Sequence, residues 1–156
     1  MSARIVVRIQ SDDFDVAGET ASLINGQPNV GAVVTFTGIC RADKGRLDAL
    51  ELEHYPGMAE AEITRIAAEA AARWPVSALA AIHRVGKIAA GDNIVLVIAA
   101  SSHRQAAFDA AGYLMDFLKS RAPFWKKEHL HDGETGGWVD AKESDEEALK
   151  RWAETK

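Results

Sequence analysis

Ser101-Ser102-His103-Arg104 follows an apolar run and opens an amphipathic segment ending in Lys119, Arg121 and Pro123-Phe124-Trp125-Lys126-Lys127. Read as a strand feeding a helix, the segment puts Ser102, His103 and Arg104 at a helix N-terminus. Free backbone N–H groups and the helix dipole favour an anion there. The lysines lie past the far end of the same helix, about 25 Å away at 1.5 Å rise per residue. One subunit therefore does not by itself unite the two halves of an anion site. Pro123, Phe124 and Trp125 fix the loop and lower the dielectric around the neighbouring amines. A partly desolvated lysine, or one beside a second cation, gives up its proton more readily, which suits acid–base work. The plainer reading stays open: a helix cap with a surface charge at one end, and solvated cations favoured by the dipole at the other.

Other residues offer less. His129 and His131 share a strand face but lack a third ligand at a recognised spacing, so no metal is expected. His54 and His83 read as strand residues. Cys40 is the single cysteine, which excludes an intramolecular disulfide, and a buried inert thiol is the simpler reading of it. Neither G-x-x-x-x-G-K-[ST] nor G-x-G-x-x-G occurs, and no cofactor is expected.

The elements that must position these groups fit one domain spanning 1–156, since 156 residues with 47% hydrophobic and 26% charged content bury one ordinary core. A formal net charge of -5 argues against a nucleic-acid partner. The N-terminus MSARIVVRIQ lacks a signal-peptide layout, and the longest apolar stretch, Ile94 to Ala100, is too short to span a bilayer. A cytoplasmic protein without a membrane partner is expected. Strands are predicted at Ala3–Ile9, Val30–Ile39, Leu50–Tyr55, Val76–Val85 and Asn93–Ala100, and the second of these looks buried. The second and third are expected to form a hairpin across the polar loop Arg41–Arg46. Helices are predicted from an Asp13 or Asp15 cap to Asn25-Gly26, and from Pro56-Gly57-Met58 to Trp74-Pro75. In the helix after Arg104, Ala107, Phe108, Ala111, Leu114, Met115 and Leu118 form one apolar face, so Met115 reads as core. A last hairpin runs from Trp125 to Ala141, and Ser144 with Glu147 is a capping box for a C-terminal helix. The class is α+β, with a mixed or antiparallel sheet packed by helices.

An ordered set of segments resembles the large, catalytic subunit of molybdopterin synthase, the MoaE family. They are Phe36-Thr37-Gly38 with Arg41, Leu52-Glu53-His54-Tyr55-Pro56-Gly57-Met58, Ile82-His83-Arg84-Val85-Gly86, Ser102-His103-Arg104 and Lys119-Ser120-Arg121-Ala122-Pro123-Phe124-Trp125-Lys126-Lys127-Glu128. The resemblance runs from about residue 4 to Trp152 and implies an α/β-hammerhead fold. It implies a sulfurtransferase of molybdenum cofactor biosynthesis that converts cyclic pyranopterin monophosphate to molybdopterin. The sulfur donor is the thiocarboxylated Gly-Gly tail of a small ubiquitin-like subunit, and the assembly is a heterotetramer around a homodimer of large subunits. By the same resemblance Lys119 and Lys126 are catalytic. Lys119 lies beside the donor carbonyl, and Lys126 acts as general acid or base. Arg41, His103, Arg104 and Lys127 hold the pterin phosphate, Phe36, Thr37 and Gly38 wall the pocket, and Glu128 joins the substrate site. The family site forms near the subunit boundary, which answers the distance problem. The loop 42–47 is shorter than in typical members, and Cys40 stands where a plain aliphatic residue is usual. A phosphoryl or acyl transferase on a phosphorylated metabolite would share the anion site but work without a protein sulfur donor. A non-catalytic adaptor for a ubiquitin-like protein would tolerate loss of both lysines.

Overall fold

The computed structural model describes residues 2–139 and 143–154. Its elements are β1 (Arg4–Gln10), α1 (Val16–Ile24), β2 (Ala32–Ile39), β3 (Leu47–His54), α2 (Met58–Arg73) and β4 (Val76–Arg84), followed by β5 (Gly86–Ala89), β6 (Asn93–Ser101), α3 (Arg104–Ser120), β7 (Phe124–Leu130), β8 (Thr135–Val139) and α4 (Glu143–Glu154). They form two four-stranded sheets, ordered β1-β4-β6-β2 and β5-β3-β7-β8. Only β1 and β4 run parallel; every other pairing is antiparallel. The α+β expectation holds.

The central strands of the first sheet, β4 and β6, are apolar at nearly every position because both faces are covered. Leu79, Ala81, Val97 and Ala99 face α2 and α3, joining Ile63, Ile66 and Leu114 in one cluster. The alternate residues Ala78, Ala80, Ile82, Leu96 and Ile98 pack with Phe14 and Leu23 under α1. Small residues along α2 and α3, such as Ala67, Ala70, Ala107 and Ala110, let the helix backbones sit close to the sheet. Gly57, at φ 86°, starts α2, and its N–H donates to the Glu60 carboxylate at 2.9 Å.

Three expectations are corrected. The stretch containing β2 is not buried: it is the sheet edge, bonded on one side to β6, and Val33, Phe36 and Ile39 are exposed. β2 and β3 form no hairpin, because the chain crosses at residues 40–46 from one sheet to the other and β3 pairs with β5 and β7. Phe108 does not join the apolar face of α3, since the buried stripe runs through Ala107, Ala111, Leu114 and Leu118 and leaves Phe108 exposed. The final hairpin is present as β7 and β8, while its expected end at Ala141 lies outside the described residues. The C-terminal helix is present as α4, but the Ser144 side chain of the predicted capping box lies outside the described residues.

Candidate active site

Alternation along β4 carries Leu79 and Ala81 toward the α2–α3 face and brings His83, two residues further, to the end of that face where α3 stops. α3 is closed by its C-cap Arg121, whose N–H donates to the Phe117 carbonyl at 2.7 Å, so Lys119 sits in the last turn beside the carbonyl end of the dipole. The chain then enters β7 against β3, with Lys126 opposite Leu52. Lys119 and Lys126 thus stand on a helix and a strand rather than in the polar loop that their surroundings in sequence imply.

The two sheets and the end of α3 enclose a cavity of about 490 Å³. Lys119 and Ser120 come from α3, Phe124, Lys126 and Glu128 from β7, and His83 from β4. Phe36 and Gly38 of β2 supply one wall, and Arg41, Asp43 and Arg46 of the crossover supply the rim. A Cβ at Gly38 would stand 2.7 Å from Val95 Cγ1, so only glycine lets this wall approach β6 so closely.

Within one chain, the structure brings Lys119, Lys126, Phe36, Gly38, Arg41 and Glu128 together. It does not bring four others. Thr37 alternates away from Phe36 and Gly38 and is not part of the lining. Lys127 points to the opposite face of β7 from Lys126, with its ammonium 5.6 Å from the centroid of the Trp138 ring. His103 is the N-cap of α3 and Arg104 its first residue, both exposed and about 24 Å of helix away from Lys119. Neither side chain caps the helix; instead Ser101 Oγ accepts from the His103 N–H at 3.4 Å and donates to the Pro75 carbonyl at 2.9 Å.

The charges around the cavity are partly paired. Arg46 donates through its two terminal nitrogens to Glu128 at 3.2 and 2.9 Å and through Nε to Asp43 at 2.8 Å. These carboxylates, Glu128 first, push the guanidinium above its already high ordinary value, and it stays charged. Asp43 and Lys44 adopt left-handed backbone at φ 51° and 57°, ahead of Gly45 at 83°, which turns the short crossover tightly enough to aim Arg46 inward. Glu128 therefore faces the cavity already engaged by an arginine.

Cys40 is 1% exposed and is not part of the lining. Burial pushes its thiol above the usual range, with Asp92 adding in the same direction, so its thiolate is disfavoured. Two of the other histidines pair with acids, His129 with Glu51 at 2.8 Å and His131 with Asp48 at 2.9 Å, while the His54 ring tilts against Phe124. No group of three His, Cys, Asp or Glu suited to a metal occurs among the described residues, and no helix there is long and apolar enough to cross a membrane.

The family model described as MoaE protein matches residues 9–121. The chain belongs to the MoaE family. A relative in Mesorhizobium japonicum, the molybdopterin synthase catalytic subunit, is 69% identical over 146 residues, covering 94% of this chain and 92% of its own. The solved MoaE protein of Burkholderia ambifaria superposes with a TM-score of 0.82 at 47% identity, covering 98% of this chain and 99% of that one. The complex of subunits 1 and 2 of the molybdopterin-converting factor of Helicobacter pylori shares the fold, with a TM-score of 0.68 at 20% identity over 89% of this chain and 90% of that one. MoaE relatives are enzymes of molybdenum cofactor biosynthesis, and so is this chain.

Reading residues one at a time missed His83, Arg46, Ser120 and the double role of Met115, which is both buried and part of the lining. His83 had a signal: it is the first polar residue after the apolar run 78–82 of β4. Ser120 Oγ had none, because its isolation depends on tertiary packing. It is a buried oxygen without a hydrogen-bond partner among the described residues.

Proposed function

We propose that the chain performs the sulfur-transfer step of molybdopterin formation, using a donor supplied by a second protein. The observation that carries this reading is a cavity lined by Lys119, Lys126, Arg41 and Arg46, in a chain whose one cysteine is buried elsewhere. Cations fit a phosphorylated substrate, and with no thiol in the cavity the sulfur has to come from outside. The donor is the thiocarboxylated Gly-Gly tail of a small ubiquitin-like subunit, consistent with the two-subunit complex of the H. pylori relative.

In this mechanism the tail sulfur attacks a substrate carbon of cyclic pyranopterin monophosphate, forming a C–S bond as a C–O bond to phosphate breaks. Lys126 supplies the proton that the departing oxygen needs. Water then attacks the acyl carbon, the acyl–sulfur bond breaks, and the partner leaves as a carboxylate with sulfur retained on the substrate. Lys119 stabilises the oxygen that turns anionic during this attack. A second donor adds its sulfur at the neighbouring carbon, whose own oxygen leaves as water while the phosphate monoester is kept, and hydrolysis of the second acyl–sulfur bond completes the dithiolene. Arg41 holds the phosphate from within the chain. His103 and Arg104 of a second copy complete its cradle, because a helix of 17 residues keeps them from their own chain's lysines. Lys127 joins only from the opposite strand face, so its part is limited to the partner or the second copy.

The deciding experiment mixes the purified chain with cyclic pyranopterin monophosphate and a partner ending in thiocarboxylate or in carboxylate. Dithiolene product with the thiocarboxylate alone is expected, whereas tight partner binding without product would establish an adaptor. Arg104→Ala should weaken substrate binding by about tenfold or more, as loss of a charged hydrogen bond does. Unchanged affinity by titration calorimetry would remove Arg104 from the phosphate cradle.

A further inference from the structure

Lys126 and Glu128 stand on the cavity side of β7, opposite Leu52 and Leu50 of β3, which line the cavity with them. A carboxylate thus faces a space that has to accept a phosphorylated molecule. Left to itself it would repel that anion, since like charges at a partly buried site are only weakly screened. Glu128 is held instead by Arg46: its two oxygens accept from Nη1 and Nη2 at 3.2 and 2.9 Å. The Nε of the same guanidinium donates at 2.8 Å to Asp43, the second carboxylate of the lining. Every nitrogen of Arg46 is therefore committed to a carboxylate. The Glu128 side chain is 20% exposed against 49% for Arg46, so the carboxylate is the inner partner and the guanidinium covers it from the rim. Backbone bonds set this pairing. The Leu47 N–H donates to the Ala42 carbonyl at 2.9 Å and closes the crossover into a turn, and the N–H of His131, just past the end of β7, donates to the Arg46 carbonyl at 2.8 Å. The turn that carries Arg46 is tied to the strand that carries Glu128.

We propose that Arg46 is a positioning residue that acts through Glu128: it offsets the carboxylates facing the cavity and so keeps the positive potential that a phosphorylated substrate needs. This rests on the phosphorylated substrate given to the cavity above. Arg46 itself makes no contact with the phosphate, because its donors are spent on Glu128 and Asp43. Its charge is felt at a distance, by lifting the potential that the substrate meets near Arg41, Lys119 and Lys126.

The test titrates the full-length chain with cyclic pyranopterin monophosphate in a calorimeter and with inorganic phosphate by phosphorus NMR, both without the sulfur donor, so that affinity is read apart from turnover. Arg46→Ala should weaken binding of both anions about five- to tenfold at low salt, and the gap should narrow as salt rises from about 0.05 to 0.5 M. Arg46→Lys keeps the cation and should bind within about threefold of the wild type. Combining Arg46→Ala with Glu128→Gln removes the charge that Arg46 offsets and should regain most of the lost affinity. A double variant as weak as Arg46→Ala overturns the proposal, because a direct contact from Arg46 to phosphate, or a collapsed crossover, gives that result. Wild-type affinity in Arg46→Ala overturns it too. A wild-type chain that binds neither anion removes the proposal and the phosphorylated-substrate reading together. Anion binding that follows the expected pattern without dithiolene formation supports the charge compensation while refuting sulfur transfer.

Discussion

Lys119→Ala and Lys126→Ala are each expected to lower turnover by about 10²–10⁴-fold, the range for loss of a general acid–base or charge-stabilising group. The fold should survive both. Lys119 is exposed in the last turn of α3, so its removal costs a dipole interaction of about 0.3–1 kcal/mol. Lys126 lies half-buried on β7, where its backbone pairing with β3 and β8 does not depend on the side chain. Single-turnover rates with the loaded partner, beside thermal melts, separate the two effects. Near-wild-type turnover in either variant would take that lysine out of the chemistry.

The second large effect is a loss of stability in mild acid. In the unfolded chain His83 takes up a proton near its ordinary value of 6.5, while burial in the folded chain delays this to about 4. Between those values the unfolded state binds more protons, so folded stability is full above about pH 6.5 and falls as pH drops toward 4. A shift of this size is worth about 3 kcal/mol. The exposed His131 acts in the opposite sense, since Asp48 raises its affinity for a proton. Urea unfolding between pH 7 and pH 4 should show the decline in the wild type and a much flatter profile in His83→Phe. Parallel profiles would show that His83 is not the group responsible.

Much of the scaffold is legible in the chain because periodicity reports directly on burial. β4 and β6 are apolar at consecutive positions because they are covered on both faces, and α2 and α3 carry their stripes at helical spacing. The edge position of β2 is not legible, since Val33, Val34 and Phe36 would read the same in a central strand; only the pairing partner distinguishes them. The site divides in a similar way. Lys119 and Lys126 are marked by their aromatic and proline neighbours, whereas Gly38 is reached only through the family resemblance. That Lys126 and Lys127 face opposite ways follows from strand alternation once β7 is known to start at Phe124. The Arg46–Glu128 pair joins residues far apart in sequence and is visible only after the crossover brings the two sheets together. His83 reads as a strand residue, which it is; the cavity beside it is a tertiary fact.

The length of α3 has a genetic consequence. If the helix holds the anion-binding end of each chain away from its own lysines and hands it to a neighbour, the two functions become separable alleles. A chain carrying Lys119→Ala and a chain carrying Arg104→Ala would each be defective alone. Paired in one dimer, they would place both lesions in one pocket and leave the other pocket wholly wild type. Co-expression would then restore about half the activity per mixed dimer, because complementary defects on a rigid spacer segregate by geometry.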